Sequence, residues 1–192
     1  MESKRTDLQY LEKLLGENLP ESIYNLPEET LADVVKLVKR ALEIANQGVD
    51  KAFEMTSVTI KFIPNFIIFS LIHSYIEPAI AARLTKVLTH RQVLDIASGL
   101  KKDYIGETLV YMEEQLASEL LQKMKVTKAK EAVEVAYQFK PLKVLDILAR
   151  LGDDLLLALC KDLDKQSLAS LTTKSKERLD SKERLLRLLQ YN

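Results

Sequence analysis

The residues best suited to chemistry form two acidic pairs in the last quarter of the chain. Asp153 and Asp154 are consecutive, and Asp162 and Asp164 stand two residues apart. Carboxylate oxygens are hard ligands that suit magnesium, which keeps several waters and takes one or two carboxylates. These four residues are therefore candidate magnesium ligands. Because Asp153 and Asp154 directly follow Gly152, capping of a helix start is the favoured interpretation for that pair.

A second metal hypothesis concerns His73 and Glu77, which stand four residues apart and would share one face of a helix. Pro78 follows at once and is expected to end that helix, and two ligands alone do not make a site. A structural or surface role is therefore favoured for this pair. His90 lies beside Arg91 at a predicted corner, where we expect a solvated or capping role.

Cys160 is the only cysteine in the sequence. The following Lys161 is able to lower the pKa of its thiol. Cys160 falls next to the apolar face of a predicted helix, however, and no histidine is near it in sequence, so we expect an inert small hydrophobe. The sequence has no Gly-rich phosphate loop and no HExxH, CxxC or GxSxG motif. We predict that the protein is not an enzyme and has no catalytic or cofactor-binding residues.

The composition is typical of a soluble globular protein, with 47% hydrophobic and 29% charged residues among 192. Acidic and basic residues number 28 each, so no global field favours nucleic acid or an anionic membrane. A single cysteine suits a reducing compartment. The first ten residues, MESKRTDLQY, lack the apolar centre of a signal peptide. These features predict a cytoplasmic location.

The last 28 residues are basic, with seven Lys or Arg and three Asp or Glu. The stretch from Lys174 to Arg187 lacks interleaved aromatics and carries acidic residues, so it does not indicate a nucleic-acid surface. The pattern favours a solvated helix or a docking segment with an apolar edge at Leu185, Leu186 and Leu189.

One apolar stretch, Phe62 to Ala82, requires comparison with a membrane span. Prolines and polar residues interrupt it, and its apolar run is only about half of the ~20 residues that a span needs. A buried core helix is therefore the favoured interpretation. Peripheral membrane association through Phe62–Ile76 is kept as an alternative function.

The elements that must position these residues come from a repeat of 12 residues, interrupted by one unit of 15 residues that starts at Lys125. Each of the first seven units closes on a large apolar residue, such as Leu100 or Met112. The fifth, eighth and twelfth positions of a unit are mostly apolar, which is one face of a helix. The units begin at Glu77, Thr89, Lys101, Glu113, Lys125, Lys140, Gly152 and Asp164.

A continuous helix cannot use this repeat, because twelve residues at ~100° each overshoot whole turns by about 120°. The chain must therefore turn once per unit, and each unit becomes a helix of ~8–9 residues plus a corner. We interpret Gly152 as a helix C-cap and Gly106 as a point of close helix–helix contact. Prolines stand just ahead of four helical patterns, at Pro27, Pro64, Pro78 and Pro141.

The sequence thus predicts an all-α fold in three parts: residues 1–60 as an N-terminal helical cap, 61–171 as the helical repeat and 172–192 as a basic C-terminal helix. The N-terminal part holds a short amphipathic helix over Thr6 to Leu15. It also holds a longer helix of ~20 residues after Pro27. The apolar face of that longer helix comprises Leu31, Val34, Val35, Val38, Leu42 and Ala45.

The units EPAIAARLTKVL, EEQLASELLQKM and KPLKVLDILARL resemble the cytosolic N-terminal domain of MgtE magnesium transporters, over roughly Ile63 to Leu171. The resemblance implies a right-handed superhelix of short helices. In that family the domain contributes carboxylates to magnesium sites shared with CBS domains. The 192 residues contain neither CBS domains nor a membrane pore, so the resemblance does not imply transport.

Three functions are compatible with these observations. The leading hypothesis is a non-enzymatic scaffold that binds another protein or a second copy of itself, because helical arrays present extended surfaces. An alternative is a regulator that responds to magnesium. The third is the peripheral membrane protein described above.

Overall fold

The computed structural model describes residues 2–15, 18–40, 72 and 76–190. All regular structure in these ranges is helical, and no strand occurs in them, so the all-α prediction is confirmed. The chain divides into two compact units, Met1–Thr56 and Ser57–Asn192.

The described residues of the first unit form three helices: α1 (Glu2–Leu15), α2 (Glu21–Tyr24) and α3, for which residues 28–40 are described. The predicted helix over Thr6 to Leu15 is confirmed, although it begins four residues earlier. Leu42 and Ala45 of the predicted longer helix lie outside the described residues. A small apolar core forms from Leu11, Leu19, Leu31 and Val35, and α2 packs against it through the partly buried Ile23 and Tyr24.

The second unit contains nine helices in its described residues. They are α4 (Pro78–Leu84), α5 (His90–Gly99), α6 (Lys102–Tyr111), α7 (Glu114–Lys123), α8 (Val126–Phe139), α9 (Pro141–Leu148), α10 (Asp153–Cys160), α11 (Lys165–Ser170) and α12 (Lys176–Gln190). The eight residues at which the sequence units begin are the N-cap residues of α4 to α11. The 15-residue unit is the one that forms the 14-residue α8.

The corners around α6 and α7 consist of two extended residues. Leu100 (φ −77°, ψ 154°) ends α5 and Lys101 (φ −68°, ψ 149°) begins α6. Met112 and Glu113 repeat this geometry before α7. The extended backbone turns the chain while the apolar closing residue stays in the core, where Leu100 and Met112 are buried. Burial of the closing residue therefore stabilises each corner.

The interpretation of Gly152 as a C-cap is wrong. Helix α9 ends at Leu148 with Ala149 as its C-cap, and Gly152 is the N-cap of α10 with φ −70°. The chain adds one tight turn after α9, in which the amide of Leu151 donates to the carbonyl of Leu148 (3.0 Å). The glycine therefore falls at the start of the next helix, in a conformation that any residue adopts.

Helices of the second unit pack on their second neighbours. Helix α6 contacts α4 and α8, and α8 contacts α10, while α7 contacts α5 and α9. Helix α12 lies against α9, α10 and α11. One continuous apolar core fills the space between them. Such short helices are marginal alone, so burial against second neighbours is what stabilises them.

The predicted close contact at Gly106 is confirmed. Gly106 lies in α6 and faces α8, and a Cβ atom added there would lie 2.6 Å from Cβ of Val135 and 2.8 Å from the carbonyl oxygen of Ala132. The nearby α8 residues Ala129 and Ala132 are fully buried. The two backbones approach closely because small residues line both helices at this point.

Substitution Gly106→Ala should lower the free energy of unfolding by about 1–3 kcal/mol. The added methyl group would overlap the backbone of α8, which cannot move away without disturbing its packing. Urea unfolding followed by circular dichroism measures the change. Gly152→Ser is the matched control, since a Cβ atom added at Gly152 would have no atom within 4 Å and serine is a good N-cap. Equal stability of the two variants would contradict the close-contact explanation.

No helix in the described ranges is long and apolar enough to cross a membrane. Most of Phe62–Ile76, the segment considered for membrane association, lies outside those ranges, so that hypothesis stays a prediction.

Candidate functional site

The structure brings together two of the four candidate magnesium ligands. Asp162 and Asp164 flank the corner between α10 and α11 and line one cleft. Asp153 and Asp154 lie in the first turn of α10, at the opposite end of that helix. The acidic residues named from the sequence therefore fall into two separate places.

The cleft is open and has a volume of about 490 Å³. Helix α8 supplies one wall, and the corner between α10 and α11 supplies the other. Three of the lining side chains are carboxylates, and none is Lys or Arg. The lining residues are Glu134, Tyr137, Gln138, Pro141, Asp162, Leu163, Asp164 and Ser167.

Each of the three carboxylates has a partner. The ammonium of Lys130 forms an ion pair with Asp162 and lies 3.8 Å from Oε1 of Glu134. The carboxylate of Asp164 caps α11 by accepting from the amides of Gln166 (3.0 Å) and Ser167 (3.2 Å). Because one lysine faces three carboxylates, this group of four side chains keeps a net charge of −2.

The floor of the cleft holds a neutral phenol. Tyr137 is 7% exposed, and its hydroxyl lies 3.4 Å from the hydroxyl of Ser167. Burial raises the pKa of Tyr137; the bond with Ser167 opposes that rise, and the charge of Asp164 adds to it. Tyr137 therefore stays protonated at neutral pH and offers a hydrogen-bonding hydroxyl between the two walls.

Two exposed aromatic side chains lie at the C-terminal ends of α8 and α6. Of the seven residues that close a sequence unit, all of them described, only Phe139 is exposed, at 51%. Its neighbours Gln138 and Pro141 line the cleft. Tyr111, at the end of α6, is 45% exposed, and the ammonium of Lys140 lies 5.4 Å from the centre of its ring.

The second acidic pair, Asp153 and Asp154, lies away from the cleft, and Asp153 binds the C-terminal helix α12. Oδ1 of Asp153 accepts from Nε (2.8 Å) and Nη2 (2.5 Å) of Arg184, and the same Nη2 donates to the carbonyl of Leu151 (2.7 Å). Asp154 is exposed in the first turn of α10. Both residues lie in the first turn of α10, where their charge complements the helix dipole, but neither is the cap that the favoured interpretation expected, because Gly152 is the N-cap and no side chain bonds it.

The basic helix α12 directs several of its charges into its own unit. The ammonium of Lys182 donates to the carbonyl of Leu171 (2.9 Å) after α11. Arg178, only 1% exposed, donates from Nη2 (2.8 Å) and Nε to the buried carboxylate of Asp146 in α9. Leu185 and Leu189 are buried and Leu186 is half-buried, so the predicted apolar edge is confirmed. These basic residues hold α12 in place.

The pair of Arg178 and Asp146 was missed by the sequence analysis. Its partners are 32 residues apart, so no local pattern joins them. One indication was present: Arg178, Leu185 and Leu189 fall at i, i+7 and i+11, which is one face of a helix. An arginine on the buried face of an amphipathic helix requires an acidic partner.

Of the two histidines considered above, only His90 lies within the described residues. His73 lies outside the described residues, and Glu77 is the N-cap of α4. His90 is the first residue of α5, and its Nε2 lies 3.3 Å from a carboxylate oxygen of Glu119 in α7. Thr89 caps α5 through a capping box with Gln92.

Cys160 is fully buried in α10. Burial raises the pKa of its thiol to about 12, so the thiolate that nucleophilic chemistry needs is not populated at neutral pH. The residue acts as a small core hydrophobe.

Within the described ranges, no group of three or more His, Cys, Asp or Glu side chains has a metal-binding arrangement. Magnesium binding by Asp153, Asp154, Asp162 or Asp164 therefore stays a prediction.

A second pocket lies among α4, α5 and α6 and is almost entirely apolar. Its volume is about 40 Å³, well below the ~150 Å³ of a cavity that admits benzene. Its three polar side chains already donate to main-chain carbonyls, namely Thr85 to Ala82, Tyr104 to Ile76 and Thr108 to Tyr104. This pocket is therefore a gap in the core.

Comparison of the chain with protein-family models, with curated proteins and with solved structures found no match.

Substitution Arg178→Met should lower the free energy of unfolding by about 3–5 kcal/mol, because it leaves the carboxylate of Asp146 buried without its ionic partner. Urea unfolding provides the measurement. The double variant Arg178→Met/Asp146→Leu should be more stable than the single one. Arg187→Met, at an exposed position of the same helix, is the control and should change little. Equal effects at positions 178 and 187 would contradict a role for the buried pair.

Cys160 should not react with a thiol reagent such as Ellman's reagent in the native protein, because its thiol is buried and protonated. One thiol per chain should become reactive when urea unfolds the protein, since the sequence has a single cysteine. Rapid modification under native conditions, with no loss of helical circular dichroism, would contradict the placement of Cys160 in the core.

Proposed function

We propose that the protein is a non-enzymatic helical-repeat scaffold that works by binding another protein or a second copy of itself. The observation that carries the proposal is the exposed edge beside the cleft, where Tyr111 and Phe139 end two neighbouring helices. Aromatic residues are enriched in protein interfaces because they bury a large rigid surface at low entropic cost.

The packing of second neighbours supports the same proposal. Helices that begin every 12 residues and stack on their second neighbours form an array whose ends and edges stay available to a partner. We propose that this array is a superhelix, as the resemblance to the MgtE N-terminal domain implies. The cap and corner geometry of α5 to α8 repeats almost unchanged, which is the regularity that a superhelix requires.

The proposal predicts a defined complex of the full chain. Sedimentation analysis of the purified protein tests self-association, and affinity purification from the native source, followed by reconstitution with each purified candidate, tests other partners. We expect a complex of fixed stoichiometry that survives gel filtration. Removing residues 172–192 is a poor test, because it takes Arg178 and Leu185 out of the core.

The variant Phe139→Ser/Tyr111→Ser gives a sharper comparison, because both side chains are exposed and their loss should leave folding intact. We expect weaker association than in the control Val126→Ser, which removes an exposed side chain at the opposite end of α8. A protein that stays monomeric at high concentration and binds no reconstituted partner would contradict the proposal.

A further inference from the structure

We propose that the cleft between α8 and the corner of α10 and α11 is the docking site, and that its occupant is a segment of another protein carrying Lys or Arg. This inference deepens the proposed scaffold function and rests on it. Charge, aromatic exposure and hydrogen-bonding capacity converge on the same occupant.

The charge of the cleft favours a cation. Glu134, Asp162 and Asp164 line it, and Lys130 is the rim cation that pairs with two of them. Two amides of α11, which would otherwise attract an anion, already donate to Asp164. An incoming guanidinium or ammonium therefore meets carboxylates with spare lone pairs, whereas an anion meets a lining that holds three carboxylates and no Lys or Arg.

The aromatic edge favours a long cationic side chain over a bare ion. Lysine and arginine carry an apolar stem behind the charge, and that stem packs on aromatic surface. Phe139 directly follows the cleft residue Gln138 and supplies exposed aromatic surface, and Tyr111 supplies more at the end of the neighbouring helix α6. Lys140, over the ring of Tyr111 at 5.4 Å, shows that this edge accommodates a cation on an aromatic face.

A magnesium ion fits the same residues less well. Each oxygen of Asp164 already accepts from an amide of α11, and Asp162 is paired with Lys130. Binding of magnesium would require both to exchange partners, and the aromatic edge would add nothing. A peptide side chain reaches the free lone pairs from outside and leaves the cap intact.

The neutral groups suit a peptide as well. Gln138 is exposed on the wall formed by α8, and the hydroxyls of Tyr137 and Ser167 lie between the walls. An amide and two hydroxyls donate to and accept from a peptide backbone. The cleft therefore offers carboxylates for a side chain and neutral groups for the main chain beside it.

The test uses the full chain and a library of short random peptides displayed for selection. Wild-type protein should enrich peptides rich in Lys or Arg. Fluorescein-labelled copies of the enriched peptides are then measured by fluorescence anisotropy, at low and at physiological salt. Binding should weaken as salt rises, because the contacts are ionic and partly solvated.

The decisive variant is Glu134→Gln/Asp164→Asn, in which asparagine preserves the cap of α11. It should bind the enriched peptides about three- to tenfold more weakly than wild type, with a shallower salt dependence. The control Glu131→Gln makes the same chemical change on an exposed residue of α8 outside the cleft, and should bind as wild type does. Unchanged circular dichroism and melting temperature verify that the variants fold.

Three results would overturn the inference. Enriched peptides without basic residues would do so, and so would equal binding by the double variant and the Glu131→Gln control. The third result is that no peptide binds, while magnesium raises the melting temperature of wild type but not that of the double variant. That result would make the cleft a cation site. A native complex that persists in the double variant would remove the cleft from the interaction while leaving the scaffold function standing.

Discussion

One close helix contact of the array depends on the lack of a side chain at Gly106. At Gly106 the backbone of α6 approaches α8 so closely that a single methyl group would overlap both a side chain and a carbonyl oxygen. Helix α8 has buried alanines near this contact, and it also packs on α9 and α10. The position of α8 fixes one wall of the cleft. The geometry of the cleft therefore depends on the packing of α8 against α6.

Polar links complement this packing. His90 with Glu119 joins α5 to α7, Glu114 with Lys143 joins α7 to α9, and Asp146 with Arg178 joins α9 to α12. Burial alone would raise the pKa of Glu114, but its hydrogen bond from Lys143 and nearby positive charge lower it. The first two links run between second neighbours, as the apolar contacts do. Because removal of one member of a buried pair is destabilising, the Glu114–Lys143 and Asp146–Arg178 links favour one pairing of helices over others.

Local features of this fold were predictable from the sequence, and long-range ones were not. Helix starts such as Thr89 and Lys101 followed from a twelve-residue period that a straight helix cannot accommodate, and Gly106 followed from a small residue inside an apolar pattern. The pairing of Arg178 with Asp146 and the meeting of Glu134 with Asp162 depend on which helices stack, which no local spacing encodes. Gly152 was misassigned because a glycine between two helices suits either end, and the extra turn after α9 decides the matter.

The corners between helices have a consequence for how such a sequence evolves. Each helix starts afresh at its own cap, so extra residues inserted before a corner lengthen one helix without shifting the register of the next. The three additional residues of the 15-residue unit extend α8 by about 4.5 Å at 1.5 Å per residue. Phe139, the last residue of the extended helix, is exposed and directly follows the cleft residue Gln138. Insertions at this class of position can therefore create new recognition surfaces while the buried interior keeps its packing.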